Sequence, residues 1–457
     1  MFWNKKKNQE EDKKPEPQAE SPKTSEQAKP LTTVFGVEDT FNVLDSDDLI
    51  VAGRLKGTFK IGDAVYVSNL GDENNGGVFL TKIKKIEVNR KQVEEATDSV
   101  AGLLLENGKK AGTIKTGSVV HGRESTANDV HQAYVGSLGV HYIGMKNLDL
   151  TDDDLRRLTA TDLAEIFLAF QVSKSKSKEE PKPDEKDKLG KVVNAMVGKI
   201  LSSKEIYVVY SSRTGEPYLF SRTFKNQDGA WSITPPDVMV ITNAVYHVMK
   251  DSFSSNGYEI RKIENGEDGK GIYNELGKAF HINGACGMMV NGLSFSIDSN
   301  SIIQKPDYSD LPDISVPVTN PDLVRWLLLM GQFINVETEE AKLVYQIYYG
   351  IMRKELLKAQ FLIPMSGDLP KGSGNITIEK GTQIILPVEE GKDGRQTIRA
   401  FTDWYRLRKG FDEKWGGMVQ PMSGMIESFD FSINVTDHPG EGVYISKETY
   451  DTAVEAK

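Results

Sequence analysis

The sequence predicts a multidomain α+β protein: a small β-barrel followed by two copies of one mixed α/β module. Three observations lead there. Short β-rich runs separated by Gly, Asp and Asn turns fill residues 33–123. A helix, helix, strand, Thr-Asx pattern at 155–300 then reappears 160 residues later. Finally, 457 residues at about 150 per domain leave room for three such units.

The chain opens with a leader. Residues 1–32 hold seven basic and six acidic side chains, four prolines and almost nothing to bury, so the expectation is disorder. Phe2 and Trp3 precede Lys5–Lys7; they can touch a membrane or a partner, but an untethered terminus is the favoured reading. No apolar core of a signal peptide follows.

In 33–124 the runs are Thr40–Val43, Leu49–Ala52, Ala64–Val67, Phe79–Ile86 and Ala101–Leu105, divided by Gly53, Gly57, Gly62-Asp63, Gly71-Asp72, Asn75-Gly76-Gly77 and Asn107-Gly108. Closure into a barrel removes the edges that short strands would otherwise expose. The order Asp39-Thr40-Phe41, Gly53-Arg54-Leu55-Lys56-Gly57, Lys60-Ile61-Gly62-Asp63-Ala64-Val65, Thr81–Glu87, Ala101–Leu105 and Ile114–Val120 resembles the second domain of elongation factor Tu. That resemblance implies a translation-factor-type barrel. A GTPase would add a G-x-x-x-x-G-K-[ST] loop and N-K-x-D, and neither occurs in the chain. Lys82, Lys84, Lys85, Arg90 and Lys91 form the densest basic group of the segment, with Glu87 and Glu94 interleaved. They are the candidate nucleic-acid contact; a solvated strand face is the favoured reading.

The α/β copies are expected at 125–308 and 309–457. Asp162–Leu168 echoes Asp322–Leu328, the second opened by Asn320 as a helix cap with Pro321 behind it. Further helical patterns follow, near Lys188–Ser203 and Thr338–Ala359, then strands at Ile206–Ser211 and Phe361–Ser366. The charged run 173–190 between the first two helices reads as a solvated linker or long loop. Val240–Tyr246 aligns with Ala400–Arg406, so that Thr242-Asn243 and Thr402-Asp403 both cap a helix after a strand. Closing strands end at Asn291 and Asn434. In the second copy the paired helices, Phe361-Leu362-Ile363-Pro364, Phe401-Thr402-Asp403 and Ile433-Asn434 resemble the SseB family, with a fainter likeness at 155–300. The family pattern runs straight on to Pro-Gly, whereas here Val435–His438 intervene before Pro439-Gly440. The resemblance implies a fold and no agreed reaction.

Chemistry is sparse. Cys286, with His281 five residues earlier, is the sole nucleophile-like grouping, and its neighbours Ala285, Met288, Met289 and Val290 describe a core cysteine. One cysteine permits no internal disulfide, and six histidines show no metal-ligand spacing. Gly367–Gly374 has the composition of a phosphate loop without its spacing. Trp404, Tyr405, Phe411 and Trp415 form a candidate partner-binding set, although core packing is the favoured reading. The net charge of −10 resides in the C-terminal two thirds, which disfavours a general nucleic-acid coat. The expectation is a non-enzymatic, cytosolic, bacterial adaptor that binds protein partners, with no catalytic residues, cofactor, metal, nucleotide or membrane contact. Its rivals are an RNA- or ribosome-associated factor using the barrel, an enzyme with Cys286 as nucleophile, and a structural protein with the barrel as spacer.

Overall fold

The computed structural model describes residues 32–455 apart from 73–77, 111–112, 179, 254–256, 313–314, 368–380, 382 and 392–393. The leader, except Thr32, and most of the Gly367–Gly374 run lie outside the described residues.

Alternating apolar side chains give strands β1 (Val34–Asn42), β2 (Leu49–Lys56), β3 (Ala64–Ser68), β4 (Phe79–Val88), β5 (Val100–Leu105) and β6 (Val119–His121). They pair in the order β3-β6-β1-β2-β5-β4, and β3 closes on β4. Every pairing is antiparallel, so this is a closed six-stranded barrel. Phe35, Val51, Val67, Ile83, Leu103 and Leu105 fill its interior, while Ile50, Lys82 and Lys84 face out. Period-two alternation thus divides β2 between core and solvent, while β1 is buried on both faces over Val34–Glu38, where the helix after the barrel covers it.

A helix that the pattern reading did not anticipate follows. α1 (Ala127–Leu138) runs into a π-helical segment, Gly139–Met145. It buries Val130, Tyr134 and Leu138 against the barrel base, where Val34 and Val119 join the same core.

Two α/β units come next. The first has α2 (Ala160–Ser177), α3 (Pro183–Ser202), β7 (Glu205–Ser211), β8 (Asp237–Ile241), α4 (Asn243–Met249), β9 (Tyr258–Glu264), α5 (Gly271–His281), β10 (Gly287–Val290) and β11 (Ile297–Asp298). The second has α6 (Pro321–Gly331), α7 (Glu339–Leu356), β12 (Gln360–Gly367), β13 (Gln396–Ala400), α8 (Trp404–Gly410), β14 (Gly416–Pro421), β15 (Asp430–Ile433), β16 (Val443–Ile445) and α9 (Lys447–Glu455). Their strand orders correspond: β9-β7-β8-β10-β11 and β14-β12-β13-β15-β16, with β12 and β13 joined by the Leu362–Phe401 bridge. In each, only the pair β8–β10 or β13–β15 is parallel. Leu163, Val192, Val324 and Met352 from the four long helices belong to one core.

The charged run 173–190 is not a linker. Ser173–Ser177 completes α2, and Pro183 begins α3, leaving only 178–182 between them. Lys and Glu are good helix formers, and charge here marks an exposed helix end. Lys174 and Glu185 pair across the connection at 2.8 Å. Asn320 stands at the cap position of α6, but its amide ties to Gln360 O at 2.7 Å and Thr402 O at 2.6 Å instead of capping. Thr242 and Asn243 do not cap α4 through their side chains either. The Thr242 hydroxyl lies 2.8 Å from Thr161 Oγ1 and donates to Asn291 Oδ1 at 3.1 Å.

Candidate protein-binding face

The second unit's Thr-Asp turn does cap. Asp403 Oδ1 accepts from the Arg406 N–H at 2.9 Å and starts α8. Thr402 is fixed from behind, since its N–H donates to Asn434 Oδ1 at 3.0 Å. The first unit has the same device, the Thr242 N–H donating to Asn291 Oδ1 at 2.8 Å. Both asparagines are left-handed, φ 53° and 51°, a conformation Asn tolerates better than most side chains.

α8 is amphipathic in an unusual sense: its inner face carries a charge. Arg406 is fully buried. Its Nη1 donates to Asp403 Oδ2 at 2.7 Å, its Nη2 to Asn283 Oδ1 at 2.8 Å, and its Nε lies 2.9 Å from Glu441 Oε1. Glu216, also fully buried, accepts from Asn283 Nδ2 at 2.8 Å and from Lys409 Nζ at 2.6 Å, and Lys409 reaches Glu441 at 2.8 Å. Burial works to raise the Glu216 carboxyl, but Arg406, Lys278 and Lys409 outweigh it and hold it at about 2. Burial likewise opposes the charge of Arg406, and Asp403, Glu216 and Glu441 overcome that. Glu216, Lys278 and Asn283 come from the first α/β unit, while Asp403, Arg406, Lys409 and Glu441 come from the second. The network therefore clamps the units together, and breaking one partner leaves an uncompensated buried charge. Beside it the Gly440 N–H donates to Arg213 O of the first unit at 3.1 Å.

On the outer face of this clamped helix, Trp404 is 37% and Tyr405 38% exposed. Lys409 and Lys278 lie over the Tyr405 ring at 4.6 and 4.9 Å, and Arg408 over Trp404 at 5.0 Å. The four sequence-selected aromatics therefore divide. Phe411 packs in with Phe401, Leu362 and Leu407, and Trp415 meets Phe411 edge-on at 4.9 Å. Trp404 and Tyr405 stay partly exposed, Tyr405 resting on the clamp's Lys278 and Lys409.

The other candidates lie apart. Lys82, Lys84, Lys85, Arg90 and Lys91 are exposed on the barrel wall, Lys84 paired with Asp48 at 2.7 Å. Cys286 is partly buried, and burial pushes its thiol up, away from the reactive thiolate. Among the described residues no three His, Cys, Asp or Glu side chains are grouped to hold a metal, and no helix is long and apolar enough to cross a membrane. Sequence reasoning did not find Glu216, Asn283, Arg406, Lys409 or Glu441. Their signal is weak: Glu216 and Glu441 each follow a glycine, in Gly215-Glu216-Pro217 and Gly440-Glu441-Gly442.

Residues 351–438, which include α8 and β14, match the family described as SseB protein N-terminal domain. No curated protein matches the chain. Solved structures that it resembles include the translation elongation factor SelB of Methanococcus maripaludis. The apo form is 20% identical, with 21% of this chain and 19% of that one covered and a TM-score of 0.18. The form bound to the GTP analogue GPPNHP is 20% identical, with 23% and 21% covered and a TM-score of 0.18. This chain spans about a fifth of the length of those elongation factors.

Proposed function

We propose that the chain is a non-enzymatic adaptor that binds a protein partner through the outer face of α8. The observation that carries this reading is the pairing of two exposed aromatics, Trp404 and Tyr405, with an inner face locked by buried charges. A rigid aromatic anchor loses little entropy on binding, which is why such residues concentrate in hot spots. The location of α8 within the SseB-matched segment supports the assignment.

In this reading the two α/β units are copies of one SseB-like module. The common strand order and the repeated Thr–Asn bond speak for it. The barrel is of the translation-factor type, as its motif order suggests, and serves the adaptor in a cytosolic setting without nucleotide, metal or cofactor. The test is affinity purification with the full chain, with and without RNase, alongside Trp404→Ala and Tyr405→Ala. Proteins retained after RNase and released by either substitution support the reading. Retention that RNase abolishes transfers the function to an RNA contact at the barrel, and retention indifferent to both substitutions refutes the face.

A further inference from the structure

The edge of the second sheet lies beside this face, and its backbone is directed outward. Leu362 exchanges both hydrogen bonds with Phe401, N–H to O at 2.8 Å and the return bond at 2.9 Å. Its polar groups therefore point toward β13, and its pairing with Val419 on the other side is a non-hydrogen-bonded one. The Val419 N–H and C=O consequently point off the sheet. By the two-residue period so do those of Gly417, opposite Pro364, which has no N–H to offer.

Natural edges are blunted by charge. The corresponding edge in the first unit, β9, carries Glu259, Arg261, Lys262 and Glu264, while β14 reads Gly-Gly-Met-Val-Gln-Pro with no charge at all. Val419 is 45% exposed. A Cβ on Gly417 would sit 2.9 Å from the Trp404 ring, so the ring covers the flank of this edge. Arg408 lies on the same ring, its Nη1 donating only to the Asp412 and Trp415 carbonyls, at 2.7 and 2.9 Å. Among the described residues no carboxylate pairs with it.

We infer that β14 accepts an extended acidic segment of a partner protein as an added strand. The segment's backbone pairs with Gly417 and Val419, an apolar side chain packs on Val419 and Trp404, and an Asp or Glu meets Arg408. The inference rests on the α8 reading and names the kind of partner that face takes.

The test uses a phage-displayed library of random 12-residue peptides selected on the full chain. Enriched peptides are then synthesised and titrated by fluorescence polarisation. Apolar residues alternating with Asp or Glu are expected, and amide exchange at Gly417 and Val419 slows on binding. Val419→Pro removes an outward donor for which the described residues supply no acceptor, which an edge strand tolerates. It lowers affinity at least about tenfold, equivalent to 1.4 kcal/mol, with an unchanged melting curve. Arg408→Gln lowers it about fivefold. If Trp404→Ala abolishes binding while Val419→Pro and the two amides are indifferent, the face stands and the strand pairing is refuted. If none of the three substitutions matters, both readings fail. A wild-type dimer in sedimentation that Val419→Pro makes monomeric would assign the edge to a second copy instead.

Discussion

Glu165 offers a sharp test of how the barrel is seated. It lies on α2, its side chain 7% exposed, one turn after Asp162. Asp162 is the post that holds the barrel: it accepts from Lys115 Nζ at 3.2 Å and the Tyr134 hydroxyl at 2.7 Å, and Lys115 also reaches Asp72 at 2.6 Å. Burial, reinforced by Asp162, raises the Glu165 carboxyl from 4.5 to about 7. His131 Nε2 is 3.9 Å away, but burial lowers its pKa, so it is largely neutral where Glu165 ionises and offsets little.

The sign follows from linkage. Below pH 4.5 the carboxyl is protonated whether folded or unfolded and costs nothing. Between 4.5 and about 7 the unfolded chain releases the proton first, so stability falls as pH rises; above that the cost is constant. The interval corresponds to about 3 kcal/mol at 1.36 kcal/mol per pH unit. Glu165→Gln removes the ionisation. Hydrogen exchange of the α2 amides, compared between wild type and variant at the same pH, measures the local opening energy. The variant's advantage should grow by about 2–3 kcal/mol from pH 4.5 to pH 8. A difference independent of pH, or one that grows in favour of the wild type, refutes the reasoning.

Removing Arg406 leaves Asp403 buried without a cation, and Glu216 and Glu441 with Lys409 to share: Arg406→Ala should cost about 3–5 kcal/mol in denaturant titration and separate the transitions of the two α/β units. Asn291→Gly and Asn434→Gly keep the left-handed backbone while orphaning the N–H of Thr242 or Thr402, so both should cost about 1–3 kcal/mol. Unequal losses would show that the repeated bond is not equivalent in the two units. Lys82→Glu with Lys85→Glu should leave partner retention unchanged; a loss that deepens steeply with salt would revive an RNA-binding barrel. Cys286 should label slowly with an alkylating reagent until the chain is denatured, and rapid labelling of the native protein would revive the nucleophile.

The barrel was legible because short β-rich runs, interrupted wherever Gly-Asp or Asn-Gly forces a turn, place β3, β4 and β5 to within two residues, whereas β2 continues four residues past its expected end. The run 173–190 has the composition of a linker, but Lys and Glu are good helix formers and its charges end α2 and begin α3. At the caps, Asp403 matched its expectation, while Thr242 found a better partner across the fold in Thr161. That partner lies 81 residues away, and local reasoning has no means of weighing it.

The buried clamp was illegible for a deeper reason. Glu216 and Lys409 are 193 residues apart, and neither position repeats in the sequence echo. The position of Arg406 does recur, 160 residues earlier, but there it holds Tyr246, which stacks on Tyr207 at 3.7 Å instead of meeting a charge. The two units have in common their strand order and the Thr–Asn bond. The two units are joined by side chains that they do not share. Glu216, Arg406, Lys409 and Glu441, which hold the two units together, therefore stand where one half of the sequence does not echo the other.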